Sequence, residues 1–385
     1  EEFQHYYGNA TFDDEGTMQA AKFLLRLYVE KYDPAYRAPL EKTIRFVLES
    51  QYPIGGWPQR YPLKYDHPFQ GKPDYSSFIT LNDDVIPENI DFLVQCYQTL
   101  GMQDLKAPIM RALNCVLILQ QGTPYAGWAD QYTVNDLQPA HARSYEPRSI
   151  NTGTTAHIVM KLMDYYRLTG ETKFLSGIPA AIQFLESMKL PESEAKKWKQ
   201  PARDNAILVP RFIDPESGKP LYVHRKGSNV TNGGYYIDQN IEKTIGHYSS
   251  ATYINISSLK EAYARTIALP KKEATKSSPF VQDTCISLDK FYYQPRRYGR
   301  KSTSAEMLMK SLTKEGYWLS PIKQISNIYK PAPEMAASDD TRYMETMVGD
   351  EYDTSPYTPE KEIMGISTGV FIENMTTLIH ALQKE

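Results

Sequence analysis

The sequence predicts an all-α-dominated fold, an (α/α)3 toroid of helical hairpins with small β elements, from three observations. Leu24, Leu93 and Leu162 recur at an interval of 69 residues, Tyr28, Tyr97 and Tyr166 keep that interval, and Leu48, Leu117 and Leu185 follow at 69 and 68. These columns fall in segments whose apolar residues return at helical spacing. Trp57 and Trp128 then occupy matching loops, GGWPQ and AGWADQ, behind the second helix of their units. Hairpins in series bury their apolar faces only by stacking, as an open solenoid or a closed ring, and equivalent loops collect on one face. The repeat is longer than a tetratricopeptide or HEAT unit and the excess lies in the loops, so a ring with a working loop face is expected.

Met18 to Glu30 places Ala20, Phe23, Leu24 and Leu27 on one helical face, and Leu40 to Ser50 turns Leu40, Ile44, Val47 and Leu48 inward. The stretch from Gln51 to Asp84 that follows carries Gly55-Gly56 and five prolines, Pro53, Pro58, Pro62, Pro68 and Pro73. Those residues deny it a helix or a central strand, and a loop of this length in a compact domain is usually functional. A helix resumes near Glu88, and the third unit pairs Lys161 to Arg167 with Ile178 to Lys189. Past Pro191 the texture changes: 193–205 is polar, 206–209 is a short apolar run, and PESGKPLYVHR (215–225) reads as turn then strand. Gly227 to Gln239 is rich in Gly and Asn, Ile254 to Ala268 returns to helix, Gln294 to Lys301 is the densest basic run, and Ile366 to Gln383 is a final amphipathic helix. The whole of 1–385 reads as one toroidal domain, with a core near 6–225 and a closing region over 226–385.

With 385 residues, 41% of them hydrophobic, the chain can bury a full core, and a net charge of −3 gives no global field toward nucleic acid. No apolar run reaches transmembrane length, and EEFQHYYG lacks a basic, apolar leader, so the protein is cytosolic or has lost a signal. Cys96, Cys115 and Cys285 lack metal spacing and read as free thiols. Tyrosine is abundant at 29 residues, and its flat apolar face with a polar edge suits sugar rings as well as cores. There is no nucleophile elbow, no phosphate loop, and no zinc spacing among His141, His157, His224 and His247.

What remains is acids with cations. Asp83 and Asp84, beside Asn82, offer the hard oxygens that Ca²⁺ takes, or equally an Asx-type cap for the next helix. Arg143 and Glu146 lie in HARSYEP, Lys189 ends the third helix pair, and Arg211 follows Pro210. If the loops converge, these form one pocket of mixed charge suited to a polyanionic sugar. Taken singly, Arg143 and Glu146 are a local ion pair, Lys189 a helix C-terminal charge and Arg211 a surface arginine.

QYPIGGWPQRYPL, FITLNDD, GWADQY followed by HARSYEP, and VPRF, in that order, resemble the family 10 polysaccharide lyases, the pectate lyases. The resemblance runs from about Tyr6 to Arg225. It implies Ca²⁺-assisted β-elimination on polygalacturonate or a related acidic polysaccharide, leaving a 4,5-unsaturated end. By it, Asp83 and Asp84 hold calcium, Arg211 is the base, and Arg143, Lys189, Glu146 and Asn82 face substrate. Trp57 either stacks on sugar or anchors its loop. Two positions depart from the family. Gln131-Tyr132-Thr133 replaces a Gln-His-Asp pattern, with Asp130 or Asp136 as the candidate substitute, and Pro-Arg-Phe-Ile replaces Ala-Arg-Phe-Tyr. A secreted or periplasmic monomer is expected. The other readings are a uronate-binding protein without catalysis and a glycoside hydrolase pairing Asp83 or Asp84 with Glu146.

Overall fold

The computed structural model describes residues 9–64, 74–198, 203–228, 234–245, 250–281, 303–330, 333–334, 340–357 and 359–382. The basic run at 294–301, Cys285 and His247 lie outside them. The sequence suggests one domain, whereas the contacts group the chain into two compact units, Glu1–Arg225 with Tyr235–Leu288, and Lys226–Gly234 with Asp289–Glu385.

The first unit is built of hairpins. Strand β1 (Ala10–Thr11) leads into α1 (Gly16–Lys31), which packs on α2 (Arg37–Glu49), and β2 (Arg60–Tyr61) follows. The second hairpin repeats this with β3 (Ile79–Thr80), α3 (Val85–Leu100), α4 (Lys106–Ile118) and β4 (Gln131–Tyr132). In the third, β5 (Ile150–Asn151) and α5 (Thr152–Thr169) are followed by the short α6 (Lys173–Ser176) and by α7 (Ile178–Ser187). After α8 (Glu192–Ala195) come β6 (Ile207–Pro210), β7 (Phe212–Ile213), β8 (Pro220–Lys226), β9 (Gly234–Asp238), β10 (Ala251–Ile254), α9 (Ile256–Ala268) and α10 (Lys271–Ala274). Helix α1 packs on α3, and α9 packs on α5 and α7, as an (α/α) toroid requires. In the repeat columns Leu93, Leu162 and Leu185 have no exposed surface, and Leu24, Leu48 and Leu117 are partly buried against the same core.

One face differs from expectation. Helix α1 buries Met18, Ala21 and Leu25, while Phe23 is 45% exposed. The helix is apolar along two adjacent stripes, and packing against both α2 and α3 selects the one through Met18, Ala21 and Leu25. Lys22, next to Phe23, instead pairs with the buried Glu88 of α3.

The strands pair by one rule: the strand before the first helix of a hairpin joins the strand after its second helix. The registers are Thr11 with Arg60, Thr80 with Gln131, and Asn151 with Phe212. The residues just before these partners, Gln59, Asp130 and Arg211, are therefore equivalent in the three loops, and each backbone carbonyl accepts from the chain entering the first helix. The small β element expected after 206 is present, since β5, β7, β8 and β9 form one sheet in that order and β6 pairs with β10.

Each tryptophan loop is pinned to its helix. Trp57 Nε1 donates to the Val47 carbonyl at 2.8 Å and Trp128 Nε1 to the Val116 carbonyl at 2.8 Å, and both rings are 0% exposed. Gly55 lets the first loop turn, because its φ is +111° and a Cβ there would lie 2.3 Å from the Arg111 carbonyl oxygen.

The second unit contains α11 (Ala305–Ser311), β11 (Leu319–Pro321), α12 (Thr341–Met344), β12 (Met364–Ile366) and α13 (Thr368–Leu382), the helix expected over 366–383. It uses the same device in permuted chain order. Trp318 Nε1 donates to the Leu308 carbonyl of α11 at 2.9 Å, β11 pairs with β12, and α11 packs on α13.

Trp128→Phe is expected to leave the Val116 carbonyl unsatisfied and a small void, costing about 2–4 kcal/mol. Urea unfolding should show a lower midpoint with an unchanged slope. A midpoint equal to wild type would show that the loop does not depend on this anchor.

Candidate active site

Two short turns set the site. Asp13–Glu15 and Asn82–Asp84 are 3-10 turns at the entrances to α1 and α3, and both carry an aspartate in the left-handed region, Asp14 at φ 52°, ψ 32° and Asp83 at φ 52°, ψ 29°. Asp84 follows at φ 56°. Aspartate visits this region more readily than most residues, yet two in a row mark a constrained turn. At the third entrance Asn151 is extended, φ −99°, and its Oδ1 accepts from Gly153 and Thr154 at 2.8 and 3.2 Å as an ordinary cap. In the second turn Asp84 sits at the cap position, but no side chain makes the capping bond. Its carboxylates are turned elsewhere.

The turns meet. Oxygens of Asp13, Asp14 and Asp83 lie within 4.8 Å of one another, the arrangement among the described residues that could hold a metal ion. Gln59 Nε2 donates to Asp13 Oδ2 at 3.0 Å, and Asn82 Nδ2 to Asp83 Oδ2 at 2.6 Å. Burial first, and then Asp13 alongside, pushes the Asp83 carboxyl up to about 8, against the pull of Arg143. Asn82 Oδ1 and Gln59 Oε1 are buried without a hydrogen-bond partner. Crowded carboxylates beside orphaned amide oxygens are an oxygen-donor set that fits a hard divalent cation.

Arg143 joins the cluster from the next loop, with Nη2 3.9 Å from Asp83 Oδ2. Its guanidinium is held by Glu146, Nε to Oε2 and Nη2 to Oε1 both at 2.8 Å, and Glu146 is only 4% exposed. Both Glu146 oxygens are therefore engaged by Arg143, which they orient. Asp84 is turned to His157 of α5, Oδ1 to Nε2 at 2.8 Å, and its oxygens are not among those of the three-carboxylate cluster.

Arg211 follows β6, its carbonyl accepts from Thr152, and its Nε is buried with no partner. Its equivalent Asp130 accepts from Asn151 at 2.7 Å and Thr154 at 2.5 Å. Burial above all raises the Asp130 carboxyl, Glu146 raises it further and Arg211 lowers it, which puts Asp130 within electrostatic reach of both. Asp136 is exposed and engages Thr133. Lys189 is exposed at the end of α7. For Trp57 the substrate-stacking role is corrected, because a ring with no exposed surface has no face to offer a sugar. It is the anchor of its loop.

The sequence reading missed Asp13, Asp14, Gln59 and His157. The 69-residue interval carries a usable signal, since it places Asp13 and Asp14 opposite Asn82 and Asp83. A cavity of about 540 Å³ elsewhere in the first unit is lined by Glu194, Lys197, Asp238 and Glu242 with Gln239 and Asn240. Three carboxylates to one lysine is the wrong sign for a polyanion.

Stacked hairpins of an (α/α) toroid thus gather three carboxylates and Arg143 at the helix entrances. The pectic acid lyase family model matches residues 3–253, and the chain belongs to that family. Among solved structures it is similar to the family 10 polysaccharide lyase from Cellvibrio cellulosa, at 19% identity and TM-score 0.53, covering 68% of this chain and 82% of that one. A mutant of that lyase in complex with trigalacturonic acid gives 19% identity, TM-score 0.52 and the same coverage. No curated protein matches the sequence.

Because the folded Asp83 carboxyl titrates near 8, well above an unfolded aspartate, it favours folding most below about pH 4, and that contribution is lost as pH rises through about 8. In chelator, Tm is expected to fall across that window, and Asp83→Asn should flatten the slope. An identical slope in wild type and variant would contradict this reading of the cluster.

Proposed function

We propose that this chain is a pectate lyase, cleaving polygalacturonate or a related uronate polymer by β-elimination. The observation that carries the reading is the three-carboxylate cluster with Arg143 held against it, in a member of the pectic acid lyase family. Asp13, Asp14 and Asp83 would hold Ca²⁺, which when bound neutralises a substrate carboxylate and stabilises the charge that develops on it. This set replaces the pair Asp83 and Asp84 expected from the sequence, with Asp84 supporting the turn through His157.

Arg143, oriented by Glu146, adds a fixed cation that binds uronate carboxylate. Arg211, buried at Nε without a partner, would take the C5 proton as the neutral guanidine and become guanidinium; the C4–O4 bond breaks as the C4=C5 bond forms, and the leaving oxygen acquires a proton. Asn82 supports Asp83 and turns a free amide oxygen into the same space. Glu146, paired through both oxygens, is poorly placed as the acid of a glycoside hydrolase. Such a polymer is met outside the cell, so we expect a secreted or periplasmic monomer. Among the described residues no helix is long and apolar enough to cross a membrane.

Polygalacturonate incubated with the protein should gain ultraviolet absorbance with added calcium and not with chelator. Arg211→Lys should lower the rate by about 10²–10⁴ with folding retained. Binding without any absorbance gain would favour a binding protein, and new reducing ends without absorbance would favour a hydrolase.

A further inference from the structure

Beyond Arg143 the site continues into a pair of tyrosines that the lyase reading does not use. The Arg143 guanidinium carbon lies 5.4 Å from the centre of the Tyr145 ring, and Tyr145 meets Tyr235 edge to face, with centroids 5.5 Å apart and planes at 63°. Both rings are half-buried, so each keeps part of its surface in solvent.

The pair is held in place. Alternation along β9 puts Tyr236 and Asp238 on one face and Tyr235 on the other. On the first face the buried His224 stacks on Tyr236 at 5.0 Å and 16°, while its Nε2 lies 2.8 Å from Asp238 Oδ1 and 3.0 Å from the Asn240 carbonyl. His224 stands on β8, the neighbour of β9, in the sheet that starts at β5, which ends in Asn151. Carboxylate cluster, Arg143, Tyr145 and Tyr235 thus form a continuous run of charge followed by aromatic surface.

We propose that Tyr145 and Tyr235 form a sugar-ring subsite, taking a pyranose ring of the same polymer next to the residue whose carboxylate Arg143 holds. Tyrosine suits this, since a pyranose presents an apolar C–H face to the ring and hydroxyls to the phenol. The inference rests on the proposed uronate substrate and adds a preference for chain length.

The test compares tri- and hexagalacturonate, in calcium, for wild type, Tyr235→Ala and Tyr235→Phe. The ratio of hexamer KM to trimer KM should rise about three- to tenfold in Tyr235→Ala and return toward wild type in Tyr235→Phe. Calorimetric binding of hexamer should weaken by the same factor, with Tm reporting that the variant is folded. An unchanged ratio in a folded, active Tyr235→Ala would overturn the subsite and leave the lyase reading standing. A wild type that binds hexamer without cleaving it would remove the lyase reading while the binding comparison still decides the subsite, and a wild type that binds neither oligomer would remove both.

Discussion

The crowding of Asp13, Asp14 and Asp83, whose oxygens lie within 4.8 Å of one another, is the constraint on which the site depends. Two turns, one per repeat, hold aspartates in left-handed backbone at helix entrances where an extended Asn or Asp would simply cap the helix. The third entrance, at Asn151, shows the ordinary solution. At α3 the cap is given up, and burial first, then Asp13 beside it, pushes the Asp83 carboxyl up. A cost of this kind is usually retained where a ligand relieves it.

The scaffold makes the convergence possible. Each loop after a hairpin returns to pair with the strand before that hairpin, which sets Gln59, Asp130 and Arg211 at equivalent places. Duplication thus supplied three frameworks, and divergence of side chains made the site: an amide supporting a carboxylate, a carboxylate clamping Asn151, and an arginine. Trp57 and Trp128 hold the loops from below through their indole N–H groups, leaving no ring surface for substrate.

Much of this was legible in the sequence. The hairpins were, because apolar periodicity and the 69-residue interval are local and repetitive signals, and of the α2 face read as Leu40, Ile44, Val47 and Leu48 the first three are buried and Leu48 partly so. Asp83, Asn82, Arg143 and Glu146 were marked as a charged group, and they do come together. The burial face of α1 was not legible, because two apolar stripes compete and only packing with α3 decides. Nor was the partner of Asp83: Asp13 is remote along the chain and lies in a plain acidic stretch, and only the repeat offset hints at it.

The central claim is that the first and second repeats share one cation between their turns. Calorimetric titration of calcium into metal-free wild type and into Asp13→Asn tests it most directly, since Asp13 lies in the repeat that carries none of the sequence-predicted site residues but Trp57. One site per chain in wild type, weakened at least about tenfold in the variant, is the predicted result. Equal affinity in the two proteins, or no binding in wild type, would contradict the account.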